Sequence, residues 1–155
     1  MKKIGMPWAR IPTIAVSGGF DPLHPGHIDM FERAAQIGKL IVIVNRDEFL
    51  IRKKGFAFMP LQQRLKVVSS IDCVYAAIPA YDIDDTVCLS LGLLRPDIFA
   101  NGGDRHKDNT PEAKLCKKLG IKTIFDLGKK ICSSSELALN AKNALKAKEA
   151  INAKR

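Results

Sequence analysis

The chain has 155 residues, 46% of them hydrophobic and 26% charged, which is the composition of a globular protein and excludes a disordered chain. No apolar run approaches the ~20 residues that a membrane-spanning helix needs. The formal net charge is +9, but the cations stand in scattered pairs and along the last segment, and only 6% of the residues are aromatic. The composition therefore does not favour a nucleic-acid-binding surface.

The length is that of one domain, and we expect residues 1–155 to form a single one. Residues 1–11 are expected to lead into the first strand, because Pro7 and Arg10 interrupt the apolar region that a secretory signal would need. Residues 140–155 are expected to form a C-terminal helix and tail. The four cysteines are widely spaced without a C-x-x-C pair, which indicates neither a zinc site nor a redox pair.

The first predicted strand, residues 13–16, is a short apolar run that ends in glycines. It is followed by Phe20, Asp21 and the sequence His24-Pro25-Gly26-His27. Apolar residues then recur at helical spacing from Ile28 to Ala35. Both histidines are therefore expected in the turn between a strand and a helix and in the first turn of that helix.

The rest of the chain alternates between predicted strands and helices. Residues 40–44 form a continuous β-branched run, which is typical of a strand covered on both faces. Pro60 suits a helix start and Gly120 suits a C-cap. The remaining expected helices are residues 61–71, 84–93 and 110–120 and one that begins at serines 133–135; the remaining expected strands are residues 73–78, 97–100 and 122–127.

Five strands that alternate with five helices through short turns predict an α/β fold, a Rossmann-like, doubly wound, five-stranded parallel sheet. Such sheets bind ligands beyond the carboxyl ends of their strands. The histidine turn, the turn at residues 101–104 and the serines 133–134 all follow predicted strands. We therefore expect these three segments to open at one edge of the sheet.

The position of the histidines favours phosphate chemistry. Unpaired backbone N–H groups and the positive end of the helix dipole favour an anion at a helix start. For an isolated H-x-x-H pair, a cap or a packed side chain would be the better interpretation. Here the flanking Gly-Gly-Phe-Asp-Pro sequence, the strand before it and the helix after it favour a functional motif.

The sequence His24-Pro25-Gly26-His27, with the Gly-Gly-Phe-Asp-Pro before it, resembles the HxGH signature of the nucleotidyltransferase superfamily. The resemblance to its cytidylyltransferase-like family covers roughly residues 12–140. It implies transfer of a nucleoside monophosphate to a phosphorylated acceptor with release of pyrophosphate. Residues 60–64, 85–86 and 132–134 are similar to the heptose-1-phosphate adenylyltransferase branch, which implies transfer of AMP from ATP to a sugar or polyol phosphate.

Several alternatives stay open. They are a CTP-dependent enzyme of the glycerol-3-phosphate type, a pantetheine-phosphate or FMN adenylyltransferase, and a nucleotide-sensing module without turnover. Gly128 stands where the glycerol branch usually has an arginine, which weakens the cytidylyltransferase interpretation. Residues 105–109 are more basic and polar than expected of the heptose enzymes, so the resemblance does not fix the acceptor.

The resemblance also implies roles for individual residues. His24 and His27 would donate hydrogen bonds to the triphosphate. Lys53 or Lys54, expected in a loop after the second strand, would supply a mobile cation for the phosphates. Arg64 would lie near the phosphate of the acceptor, with a surface ion pair as the alternative.

The predicted nucleotide-binding residues come from all three turns of the expected edge. Asp21 could orient a histidine, help to hold a metal ion or simply form the turn, while Phe20 would contribute its main chain with its ring packed. Hydroxyls and helix amides at the serines could bind phosphate, although capping alone would explain serines there. The full predicted set is Gly19, Phe20, Asp21, Gly26, Asp104, Ser133 and Ser134.

The implied cofactor is Mg²⁺, which would arrive with the nucleoside triphosphate, and no metal ligand from the protein is assigned. The implied partners are ATP or CTP and a phosphorylated small molecule, with neither nucleic acid nor membrane. We expect a cytoplasmic location and, from the resemblance, a homodimer.

Overall fold

The computed structural model describes residues 10–102, 109–128 and 133–153. Its centre is a sheet of five strands: β1 (Thr13–Gly18), β2 (Lys39–Val44), β3 (Ala76–Pro79), β4 (Ile98–Ala100) and β5 (Lys122–Ile124). The strand order is β3-β2-β1-β4-β5, and every neighbouring pair is parallel. The predicted α/β fold with a five-stranded parallel sheet is confirmed.

Six helices lie in the described ranges: α1 (Pro25–Ala35), α2 (Asp47–Lys54), α3 (Leu61–Ser69), α4 (Cys88–Leu94), α5 (Pro111–Leu119) and α6 (Ser134–Asn152). The sequence pattern predicts five helices and not α2, because α2 buries only Leu50 and has no apolar periodicity. Acidic residues at its start and Gly55 at its end, with φ of 89°, are nevertheless ordinary helix boundaries. Lys53 and Lys54 therefore lie in the last turn of a helix, and the predicted loop is wrong.

Helices cover both faces of the sheet, as predicted. Neighbouring strand residues point to opposite faces, so Val42 packs with Phe31 of α1 and Val68 of α3, while Ile43 packs with Leu91 of α4 on the other face. All five side chains are almost completely buried. The sheet is thus the middle layer of three.

Two element boundaries differ from the prediction for reasons that the polar contacts explain. The carboxylate of Asp82 accepts the backbone N–H groups of Leu89 and Ser90 at 2.6 and 3.0 Å, which caps α4 and places its start at Cys88 instead of residue 84. At the other edge, Asp126 has a φ of 59°. That left-handed conformation cannot continue an extended strand, so β5 ends at Ile124.

The path of the chain creates a crevice at the carboxyl edge of the sheet. From the central β1 the chain proceeds outward to β2 and β3, then returns to β4 and β5 on the other side of β1. In parallel sheets, ligands bind where the strand order reverses in this way. The histidine turn leaves β1, so it lies at this point.

The last helix packs against the rest of the chain only near its start. Ala138 is its buried residue, and residues 139–153 are exposed. Its larger apolar side chains beyond that point are therefore exposed in the described chain, namely Leu139, Leu145 and Ile151. None of the helices within the described ranges has both the length and the apolar character of a membrane span.

Candidate active site

The turn between β1 and α1 carries both histidines. Phe20 has a φ of 50°, and the chain then reaches His24, the N-cap residue of α1, with Pro25 in the first turn. Proline fits that position because its missing N–H would have no helical partner there. The helix start therefore opens at the carboxyl end of β1.

The two imidazole rings are stacked, with centroids 3.7 Å apart and planes 19° from parallel. The backbone N–H of His24 donates to Nδ1 of His27 at 3.3 Å, and the backbone N–H of His27 donates to the carbonyl of His24 at 2.9 Å. Because Nδ1 of His27 accepts, the neutral ring carries its proton on Nε2. The ring of Phe20 packs against His27 edge-on at 4.9 Å.

Both rings are neutral at neutral pH. Burial, with a smaller contribution from the neighbouring His24, lowers the pKa of His27 to about 3. Burial also lowers the pKa of His24, whose Nδ1 has no hydrogen-bond partner among the described residues. The pair can therefore donate hydrogen bonds without carrying charge, and Nε2–H of His27 is a fixed donor.

Lys54 reaches the same turn from the end of α2. Its ammonium contacts the carbonyl of Asp21 and lies 2.7 Å from the carboxylate of that residue. Lys53 has an exposed side chain whose ammonium is 5.8 Å from the ring of Phe49. Lys54, one of the two candidate lysines, thus contacts the histidine turn directly.

Asp21 is buried, and among the described residues its carboxylate makes no hydrogen bond to a histidine. Its carboxylate accepts hydrogen bonds from Lys54 and from the backbone N–H groups of Phe58 and Met59, each at 2.7 Å. Both carboxylate oxygens are thereby engaged. Of the interpretations open from the sequence, none anticipated this one, in which Asp21 joins the turn to the segment between α2 and α3.

Arg64 has no exposed surface, so a surface ion pair was the wrong expectation. Its guanidinium donates to the carbonyls of Gly19, Asn45 and Met59 at 2.7 to 2.9 Å and to the carboxylate of Asp47 at 2.5 Å. These contacts hold the glycine turn through the carbonyl of Gly19. The contact of Arg64 with an acceptor phosphate stays a prediction.

The glycines of the turn have different surroundings. A Cβ on Gly19 would lie 2.5 Å from a methyl group of Leu50, so the absence of a side chain lets α2 pack against the turn. Gly26 is in the first turn of α1. Ring packing was expected for Phe20 and is found, since its side chain is 2% exposed.

The start of α6 also meets the histidine turn. The hydroxyl of Ser134 donates to the carbonyl of Pro22 at 2.9 Å, across 112 residues of chain. Ser133 is the N-cap residue, but its side chain caps none of the described helix amides. The hydroxyl of Ser134, which was predicted to bind phosphate, thus contacts the turn two residues before His24.

The end of β4 completes this edge. A Cβ on Gly102 would lie 2.5 Å from the sulfur of Met30 in α1, so a side chain at this position would force the Met30 side chain to move. Asp104, the predicted contact for the nucleotide sugar or the acceptor, lies outside the described residues. The structure thus brings the end of β4 against the helix that His24 and His27 begin.

Two site residues were missed from the sequence. Asn45 and Asp47 follow β2 and hold Arg64 through a backbone carbonyl and a carboxylate. Asn45 is 8% exposed, and its Oδ1 has no partner among the described residues. Their place directly after a buried strand was the signal that could have identified them.

A shallow cleft of about 450 Å³ borders the histidine pair on the outer side of α1. It combines apolar side chains with two carboxylates, one of which, that of Asp29, is paired with Arg33 at 2.9 Å. The lining residues are Leu23, His24, Pro25, Ile28, Asp29 and Glu32.

Comparison with known proteins agrees with this geometry. The model of the cytidylyltransferase-like family matches residues 15–143. The chain is 36% identical over 117 residues to the D-beta-D-heptose 1-phosphate adenylyltransferase of Bordetella bronchiseptica, which covers 73% of this chain and 71% of that protein. It is 37% identical over 111 residues to the FAD synthase of Archaeoglobus profundus, covering 71% of this chain and 70% of that protein.

Two further relatives are a longer protein and a solved structure. The bifunctional protein HldE of Streptomyces coelicolor is 39% identical over 116 residues, but this chain spans only 25% of its length. The solved structure of a lipopolysaccharide core biosynthesis protein from Thermoplasma volcanium has the same fold, with a TM-score of 0.65 and 24% identity over 77% of this chain and 98% of that one. The chain belongs to the cytidylyltransferase-like family of nucleotidyltransferases.

Proposed function

We propose that this protein is an adenylyltransferase that transfers AMP from ATP to a sugar or polyol phosphate and releases pyrophosphate. The observation that carries the proposal is the neutral, stacked histidine pair at the start of α1, with Nε2–H of His27 fixed as a donor. The relatives named as adenylyltransferases support ATP as the nucleotide.

The proposed reaction is an in-line displacement at the α-phosphorus of ATP. A phosphate oxygen of the acceptor forms the new P–O bond while the bond to the β-phosphate oxygen breaks, so pyrophosphate leaves without a covalent enzyme intermediate. Negative charge spreads over the nonbridging oxygens in the transition state. Donors that are already aimed at those oxygens lower the barrier, and losing one typically costs about 3–4 kcal/mol.

The site residues divide this work by their chemistry. His24 and His27 donate neutral N–H groups to oxygens around the α-phosphorus. Lys54 adds a positive charge from the end of α2, and Ser134 adds a hydroxyl and the amides of a helix start. These four groups meet at a helix N-terminus, where the helix dipole also favours the polyanion.

Mg²⁺ is proposed to enter with the triphosphate, where it neutralises phosphate charge and stabilises the leaving pyrophosphate. Asp21 does not fit as its ligand, because both carboxylate oxygens already accept hydrogen bonds. Across the described ranges no cluster of three His, Cys, Asp or Glu residues forms a metal site. We therefore assign the ion to the nucleotide and not to a protein carboxylate.

The test is a matrix of nucleotides and acceptors. The protein is incubated with Mg²⁺ and either ATP or CTP, together with heptose-1-phosphate, glycerol-3-phosphate, phosphopantetheine or FMN, and released pyrophosphate is measured. We expect ATP with heptose-1-phosphate to give the highest rate, with the adenylylated product identified by mass spectrometry. Release with CTP alone would favour the cytidylyltransferase, and no product with any acceptor despite nucleotide binding would favour a nucleotide-sensing module.

FMN is the second candidate acceptor. The observation that favours it is the similarity to archaeal FAD synthases, which reaches 37% identity over about 70% of both chains. In the same matrix this candidate predicts FAD as the product and no turnover of sugar phosphates.

The resemblance also predicts a homodimer. Light scattering after size exclusion should then give about twice the chain mass of 17.1 kDa. The mass of a single chain over the working concentration range would contradict this prediction.

A further inference from the structure

Asp21 is a buried carboxylate in a site proposed to bind a polyanion, which requires an explanation. Its side chain has no exposed surface. A buried charge is tolerated only when it is paired and hydrogen-bonded. Three donors meet that need here, namely the ammonium of Lys54 and the backbone N–H groups of Phe58 and Met59, each 2.7 Å away.

The same contacts orient the ammonium of Lys54. This group has three N–H donors. One points to the carboxylate of Asp21 and a second to the backbone carbonyl of that residue. The side chain is 10% exposed and its ammonium lies 5.2 Å from the ring of Phe56. Only the third N–H is left to approach a ligand at the histidine turn.

Asp21 also fixes the chain on which Lys54 is mounted. The segment from Gly55 to Pro60 joins α2 to α3, and two of its backbone N–H groups end on the carboxylate. The carbonyl of Met59 in the same segment accepts from Arg64 at 2.9 Å. The connection is therefore tied to the turn between β1 and α1 near its α3 end.

We propose that Asp21 is the positioning residue for Lys54: it binds neither nucleotide nor metal, but holds the ammonium beside the histidine pair before substrate arrives. This inference rests on the proposed function for its catalytic consequence. A lysine with four rotatable bonds would otherwise lose its side-chain freedom on binding the triphosphate. Here folding has already restricted it.

A carboxylate suits this role and an amide does not. All three neighbours of Asp21 are donors, and only an acceptor with two oxygens satisfies them. Asparagine would turn an N–H group towards either the ammonium or a backbone N–H. Asp21→Asn therefore disturbs the lysine while changing the side-chain volume little.

The kinetic test is a double-mutant cycle on adenylyl transfer with Asp21→Asn, Lys54→Met and the double variant. If Asp21 acts through Lys54, each single variant lowers kcat at least tenfold and the double variant is no worse than Lys54→Met within about twofold. Multiplied losses in the double variant, or normal kcat in Lys54→Met, would overturn the inference. Asp72→Asn, at an exposed position, is the matched control and should keep wild-type kcat.

A second measurement needs neither turnover nor a folded Asp21→Asn. In the native protein, acetic anhydride labelling followed by mass spectrometry should modify Lys54 at least tenfold more slowly than the exposed Lys66 of α3. Equal labelling rates would show that Lys54 is not held, whatever the reaction. If no acceptor supports pyrophosphate release but Lys54 is protected, the proposed function fails and the positioning contact stands.

Discussion

His27 should make the protein sensitive to mild acid. Its imidazole has a pKa of about 3 in the folded state against 6.5 for the ordinary side chain, because burial and the stacked His24 disfavour the charged form. Below pH 6.5 the unfolded chain therefore binds a proton that the folded chain does not. The free energy of unfolding therefore decreases progressively as the pH falls from 6.5 towards 3.

The size of the effect follows from the difference between these values. At pH 5, which lies 1.5 units below the ordinary pKa, protonation of the unfolded chain lowers the free energy of unfolding by about 2 kcal/mol. Below pH 5, carboxylates titrate in both states and also change the free energy of unfolding, so pH 5 is the lower limit of the comparison. His27→Gln removes the titrating group, while its amide oxygen can still accept the N–H of His24.

The assay is urea denaturation of wild type and His27→Gln at pH 7.5 and at pH 5. Between pH 7.5 and pH 5, the free energy of unfolding of wild type should fall by about 2 kcal/mol more than that of the variant. The difference between the proteins isolates His27, because every other titrating group is common to both. An equal loss in the two proteins would mean that His27 is charged or exposed in the native state, and the argument for a neutral donor would fail.

Three further substitutions test contacts around the site by urea denaturation. Arg64→Leu should cost about 3–5 kcal/mol, because it leaves a carboxylate and three carbonyls without their donor, and a loss under ~1 kcal/mol would contradict the buried network. Ser134→Ala should cost about 1 kcal/mol, clearly more than Ser133→Ala, whose hydroxyl does not cap the helix. Gly102→Ala should cost about 1–3 kcal/mol through overpacking, whereas Gly92→Ala, in open space within α4, should be neutral or stabilising; equal effects would refute the close approach at β4.

The sheet could be predicted because its strands can be recognised from short stretches of sequence. Residues 40–44 are continuously apolar, and such a run suits only a strand covered on both faces. The helix α2 could not be found in the same way, since Leu50 is its only buried residue. Its stability comes from capping and from contacts with distant segments, which leave no periodic pattern in the sequence.

The contacts of the polar site residues were even harder to predict from the sequence. The motif identified His24 and His27 because their spacing places both at one helix start. Nothing in the local sequence distinguishes a carboxylate that binds substrate from one that is buried. The hydrogen-bond donors that satisfy the buried carboxylate of Asp21 are 33 to 38 residues away in the sequence. Arg64 similarly finds Gly19 across 45 residues. Residue type therefore indicated the site, but only the fold gave these two side chains their contacts.

The proposed function requires that the phosphates react at the histidine turn. The most direct test is acceptor-dependent pyrophosphate release from Mg²⁺ and ATP by wild type and by His24→Ala, with circular dichroism to verify that the variant is folded. We predict a loss of at least 100-fold in kcat, as expected when one preorganised donor is removed. Near-normal release by the folded variant would remove His24 from the reaction and contradict the proposed role of the histidine turn.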